Sequence, residues 1–124
     1  MAQLGDDFQE VILDLPELLA RVDNDTELVC ELLGIFKEES SDLLVSLRGA
    51  VLREDMAGVK ISGHTLKGMF ANLAATRGAS AASRLEQIGD RGEKSELTRA
   101  LADLESEMAA LLPKLDAYLN EAQP

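Results

Sequence analysis

Apolar residues recur along most of this chain at intervals of three and four, the spacing that keeps them on one side of an α-helix. The clearest run is Leu97, Leu101, Leu104, Met108, Leu111, Leu115 and Tyr118, whose steps alternate 4, 3, 4, 3, 4, 3. So narrow a seam belongs to a helix packed nearly parallel to its neighbours. It predicts a helix from Ser95 onward, kinked at Pro113, where the ring removes one backbone hydrogen bond. A second run, through Leu28/Val29, Leu32/Leu33, Ile35/Phe36, Leu43/Leu44, Leu47 and Ala50/Val51, predicts a long amphipathic helix to about Leu52. Asn24 and Glu27 stand ahead of it at capping-box spacing.

Capping signals mark the other elements. Asp14-Leu15-Pro16-Glu17 offers an N-cap, an early-turn proline and a capping-box glutamate, so a short helix is predicted to about Val22. Asp55 is predicted to cap a third helix ending near Ala75, and Thr76 a fourth ending at Gly89, with Asp90 to Lys94 as a turn. Residues 1–13 carry no strong period and read as a lead-in or linker; residues 14–121 form the domain. Four substantial helices with short links predict an all-α fold, an up-down-up-down four-helix bundle with a short additional N-terminal helix across one end.

Composition agrees with that pattern and narrows the partners. The 124 residues are 46% apolar with three Phe, one Tyr and no Trp, and no hairpin signal separates alternating runs. A net charge of -11 would repel a phosphate backbone, so nucleic acid is excluded as a partner, and the acidic surface favours a monomer. No run approaches the roughly 18 consecutive apolar residues of a membrane span, and the N-terminus lacks the basic start and apolar core of a secretion signal. A cytoplasmic chain without direct membrane contact is expected. Cys30 is the single cysteine, expected as a small core residue, and with one His it cannot supply the ligands that zinc needs. Asp23 to Glu27 has the look of a calcium-loop opening, but Leu28 stands where that loop needs Gly, so no metal site is expected.

The third helix carries the chemistry. At about 100° per residue, Val59, Leu66, Met69, Phe70 and Leu73 fall within an arc of roughly 100° that must face the core. Within about 60° of His64, on the opposite side, lie Ala57, Lys60, Ile61, Lys67, Gly68, Ala71 and Ala75, with Asn72 just beyond. A lone histidine is more commonly a core or capping residue, but this one points away from the apolar stripe. Lys67, one turn along, disfavours a protonated imidazole yet would attract a dianionic phosphoryl group attached to it. Gly68 costs about 1 kcal/mol of helix propensity at a surface position, so its missing side chain needs a use. One use is to open the imidazole edge to a macromolecular partner, along a strip that Ala71 and Ala75 extend and Ile61 borders. The competing use is close helix packing.

Gly63-His64-Thr65-Leu66-Lys67-Gly68, followed by Ala71-Asn72-Leu73, resembles the His-x-x-Lys-Gly signature of histidine phosphotransfer domains. The resemblance extends to Leu32-Leu33-x-x-Phe36, to the Asp55 turn and to Leu85-Glu86 on the next helix. Two departures stand beside it: Ala74, where the family commonly has Gly at the end of the histidine helix, and the bulky pair Met69-Phe70, where small residues are frequent. Both bear on how tightly the third and fourth helices approach.

The resemblance implies a phosphocarrier. Nε2 of His64 would take a phosphoryl group from the aspartyl phosphate of one response-regulator receiver domain and give it to another. Lys67 would hold the phosphoryl oxygens and Gly68 would admit the receiver, while Glu86 would fix the ring by a bond from Nδ1. The docking face would be Lys60, Ile61, Ala71, Asn72 and Ala75. An exposed histidine, with an unperturbed pKa near 6.5, is mostly the neutral nucleophile at cytoplasmic pH, so no separate base is required. The domain would hold no cofactor of its own, and Mg2+ would come with the receiver. Such a chain occurs free-standing or as part of a membrane-associated hybrid sensor histidine kinase, and the residues leave that open.

Two readings from other classes compete. Gly63 to Gly68 matches Gly-x-x-x-x-Gly, but a phosphate-cradling loop needs Lys-Ser or Lys-Thr next, and Met69-Phe70 follow in mid-helix. Neither a Gly-x-Ser-x-Gly elbow nor a metal-ligand cluster supports a hydrolase, so no autonomous enzyme is expected. The alternative function is a helical protein-interaction module that is never phosphorylated.

Overall fold

The computed structural model describes residues 10–122, and helices account for most of them. In chain order they are α1 (Leu15–Arg21), α2 (Thr26–Leu52), α3 (Met56–Asn72), α4 (Thr76–Arg91) and α5 (Leu97–Ala122), with a single 3-10 turn at Lys94–Glu96. Helices α2 to α5 form the bundle. Each packs on the next, α5 returns to α2, and α3 and α4 make the most intimate pair. The short α1 adds Leu18 to the core.

Core and seam agree with the periodicity. Leu97, Leu104, Met108, Leu111 and Leu115 of α5 are buried, while Leu101 and Tyr118 are half-buried at its margins. Pro113 lies on the exposed side and α5 runs through it. Its missing N–H would have bonded the carbonyl of Ala109, itself exposed and so reachable by water. On α3, Val59, Leu66 and Phe70 are buried, and the Phe70 ring meets Phe36 of α2 in a tilted pair with centroids 5.4 Å apart. The room for so large a side chain comes from α4. A Cβ at Gly78 would lie 2.3 Å from Phe70 Cδ1, so Gly78 accommodates Phe70.

Helix ends show where pattern reading falls short. Asp14 and Asp55 cap as expected, accepting from Glu17 N at 3.1 Å and Gly58 N at 3.0 Å. The cap of α2 is Asp25, accepting from Leu28 N at 3.1 Å, rather than Asn24. The turn before α2 places both Asp23 and Asn24 at positive φ, a conformation these two residue types tolerate, which moves the cap one residue on. Helix α3 ends at Asn72, short of Ala75, because Ala74 turns left-handed at φ 60. Ala75 then occupies the N-cap position of α4 without a side-chain cap. Thr76 does not cap: its hydroxyl accepts from Val11 N at 2.7 Å and donates to Val11 O. Helix α4 continues past Gly89 to Arg91, and Gly92 at φ 73 ends it.

Most of the expected lead-in, residues 1–9, lies outside the described residues. Its described end crosses the α3–α4 turn. Arg77 N donates to Val11 O and Asp14 N to Ala74 O, both at 2.9 Å, while Ile12 and Leu13 pack against the core. Cys30 is half-buried at the bundle's edge rather than a core residue.

Candidate functional site

Helix α3 reaches the surface along one stripe only, and His64 stands on it with 68% of its side chain exposed. The residues just before it, Ser62 and Gly63, are buried, and Gly63 meets α4. Contact there is backbone to backbone: a Cβ on Gly63 would lie 2.8 Å from Glu86 N and 3.1 Å from Ala82 O. Gly89, one turn beyond Glu86, meets α3 likewise, its notional Cβ falling 2.6 Å from Lys60 N. With two glycines at the crossing, the helices close to a distance at which short side-chain reaches suffice.

Glu86 spans the resulting gap. His64 Nδ1 lies 2.9 Å from Glu86 Oε2, and Lys67 Nζ lies 2.7 Å from Glu86 Oε1. The carboxylate is the least exposed member of the trio, at 19%. Its pKa is held below the usual glutamate value, first by the hydrogen bond from Lys67 and next by that from His64. An ionised carboxylate can only accept, so the ring proton belongs on Nδ1 and Nε2 keeps its lone pair. On an exposed ring that lone pair is a nucleophile open to a large electrophile.

The remaining expected residues divide clearly. Ile61 is 66% exposed and borders a shallow hollow lined by Lys60, Ile61, His64, Thr65 and Glu86. Lys60 pairs with Asp90 at 2.9 Å, which raises the lysine pKa and lowers that of the aspartate. Ala71 and Asn72 are exposed, and their carbonyls accept from Arg21 Nη1 of α1 at 2.9 and 3.5 Å. Gly68 is open: a Cβ there would meet no atom within 4 Å, so close helix packing does not explain it. Ala75 does not belong to the docking face. It is fully buried, because α3 stops at Asn72 and the left-handed Ala74 turns the chain inward before Ala75.

Sequence reading gives Asp90 and Arg21 no place in the site, and Gly63 only a place at the head of the His-x-x-Lys-Gly stretch. Asp90 had a signal, since it follows Glu86 by four residues on α4 and so presents a second carboxylate to the face carrying Lys60 and Lys67. Gly63 had a weaker one, a glycine inside a helix directly before the candidate residue.

The family model described as Hpt domain matches residues 31–121. The fold is similar to that of histidine-containing phosphotransfer protein B (HptB) from Pseudomonas aeruginosa PAO1, with a TM-score of 0.84 and 23% identity over 90% of this chain and 96% of that one. No curated protein sequence matches the chain. The family match spans most of the bundle and the whole of α3 and α4, and this chain belongs to the Hpt domains, the phosphocarriers of two-component phosphorelays that interact with response-regulator receiver domains.

Proposed function

We propose that His64 is the phosphoacceptor, taking a phosphoryl group on Nε2 from the aspartyl phosphate of one receiver domain and passing it to the aspartate of another. The observation that carries this reading is the hydrogen bond from Nδ1 to Glu86 at 2.9 Å on a ring that is otherwise exposed. It commits the ring proton to one nitrogen and leaves the other available. Lys67, already at the site, can turn from Glu86 to the oxygens of an arriving phosphoryl group and balance their charge. Gly68 leaves the approach clear, and Lys60, Ile61, Ala71 and Asn72 form the face on which a receiver rests.

Mg2+ belongs to the receiver's acidic pocket in this scheme, and the chain is a carrier without kinase or hydrolase activity of its own. The bundle over residues 14–121 acts as a cytoplasmic monomer, with residues 1–13 as its lead-in. Its donor receiver belongs to a hybrid sensor kinase or a separate regulator. Among the described residues no helix is long and apolar enough to cross a membrane, which suits that setting.

The test is incubation of the purified chain with a phosphorylated receiver, followed by mass spectrometry under conditions that spare phosphoramidates. A phosphoryl group on His64, absent from His64→Gln, is expected. Labelling by ATP alone would refute the carrier assignment, and no labelling from several competent receivers would favour a binding module.

A further inference from the structure

Glu86 is placed to act on the loaded histidine as well as the empty one. Its backbone packs against Gly63, where a Cβ would fall 2.8 Å from Glu86 N, and its carboxylate meets Nδ1, the ring nitrogen that the phosphoryl group does not occupy. When the Nε2 lone pair attacks, the N–P bond forms as the P–O bond to the donor aspartate breaks. With its Nδ1 proton retained, the ring then carries a positive charge. In the onward step an oxygen of the receiving aspartate bonds phosphorus and the N–P electron pair returns to Nε2, releasing neutral imidazole. Had Nδ1 lost its proton, the same cleavage would expel an imidazolate anion, a far poorer leaving group. The Nδ1 proton therefore separates a histidine that passes its phosphoryl group on from one that keeps it.

We propose that Glu86 retains the Nδ1 proton on the phosphorylated ring, so that His64 always leaves as neutral imidazole and the loaded domain remains a ready donor as the pH rises. This rests on His64 being the phosphoacceptor. The charged groups around the ring support the assignment. Lys60 and Lys67 come from α3 and Glu86 and Asp90 from α4, and Lys60 is engaged by Asp90 at 2.9 Å. Among the described residues Glu86 is the anion in contact with the ring, and its 2.9 Å bond to Nδ1 is the kind that strengthens when the donor becomes cationic. A receiver that docks over Nε2 leaves this contact untouched, because Nδ1 lies on the side of the ring turned toward α4.

The experiment compares the wild-type chain with Glu86→Gln, each phosphorylated with phosphoramidate and examined by 15N NMR at increasing pH, with onward transfer to a receiver timed in parallel. Wild-type phosphohistidine is expected to keep the Nδ1 proton to a higher pH than the variant does, by about one unit. Onward transfer from the variant is then expected to be slower by up to about tenfold, the effect of one unit in a protonation equilibrium. Glu86→Asp keeps the charge on a shorter arm and should fall between the two, which preserves the test if the glutamine variant folds poorly. Coincident Nδ1 signals and transfer rates across the pH range would overturn the role of Glu86 while leaving the carrier intact. Failure of phosphoramidate to label wild-type His64 would overturn the carrier reading, and this one with it.

Discussion

Gly63 and Glu86 lie so close that a methyl group on Gly63 would come within 2.8 Å of the Glu86 backbone nitrogen. The contact joins the residue before His64 to the residue that holds the His64 ring. Gly63→Ala must therefore push α3 and α4 apart, since the obstacle is main chain rather than a movable side-chain tip. Overpacking of this kind costs about 1–3 kcal/mol, to be read as a lowered denaturant midpoint. The same displacement lengthens the His64–Glu86 bond, so phosphorylation by a receiver should slow even where the variant is fully folded. Unchanged stability would show that the helices do not meet there.

Gly68→Ala should behave in the opposite way. With open space around it, an added methyl gains helix propensity of about 1 kcal/mol without a clash. Labelling of His64 by a small phosphodonor should persist, whereas transfer from a receiver should weaken, and weaken further in Gly68→Gln. Equal effects on small and large donors would remove receiver access as the reason for a glycine here.

The bundle was largely legible because its helices are amphipathic and its caps at Asp14 and Asp55 are local signals. Ala75 shows the limit. A helical wheel extended past Asn72 puts it on the His64 face, yet the helix ends where Ala74 enters the left-handed region, and an alanine at that position gives no warning. The Met69-Phe70 departure was visible, but its compensation was not, because Gly78 becomes meaningful only once α4 lies on Phe70. In the site, the wheel put Lys67 beside His64, and the resemblance pointed to Glu86. That one carboxylate holds both at once depends on the α3–α4 distance, which no spacing within either helix encodes.

Ala74→Gly should stabilise the chain. The left-handed conformation costs an L-residue about 1–2 kcal/mol, and the extra backbone freedom of glycine in the unfolded chain offsets about half of that. A net gain of up to about 1 kcal/mol is expected, measured as a raised denaturant midpoint with an unchanged slope. Because Ala74 is buried with almost no side chain to lose, a loss of stability would mean that its methyl group contributes packing that outweighs the strain.

The two ion pairs beside His64 give stability a predictable pH dependence. Glu86 is held below the ordinary glutamate value by Lys67 and then His64, and Asp90 below the ordinary aspartate value by Lys60. For a carboxyl whose folded-state pKa is depressed, the unfolded chain binds the proton first as pH falls. Its contribution is therefore complete above the unfolded values of about 4 and is lost as pH drops through the lower folded values. Lys60 is raised by Asp90, so its contribution holds below the unfolded lysine value of about 10.4 and is lost as pH climbs through the higher folded one. All three groups are solvent-accessible, which keeps each effect small and sensitive to salt. Denaturant unfolding of the wild type, Glu86→Gln and Asp90→Asn from neutral pH down to about 2 should show each variant's deficit shrinking as the missing carboxyl would have been protonated. A deficit that stays constant across that range would mean that the pairs contribute by shape and not by charge.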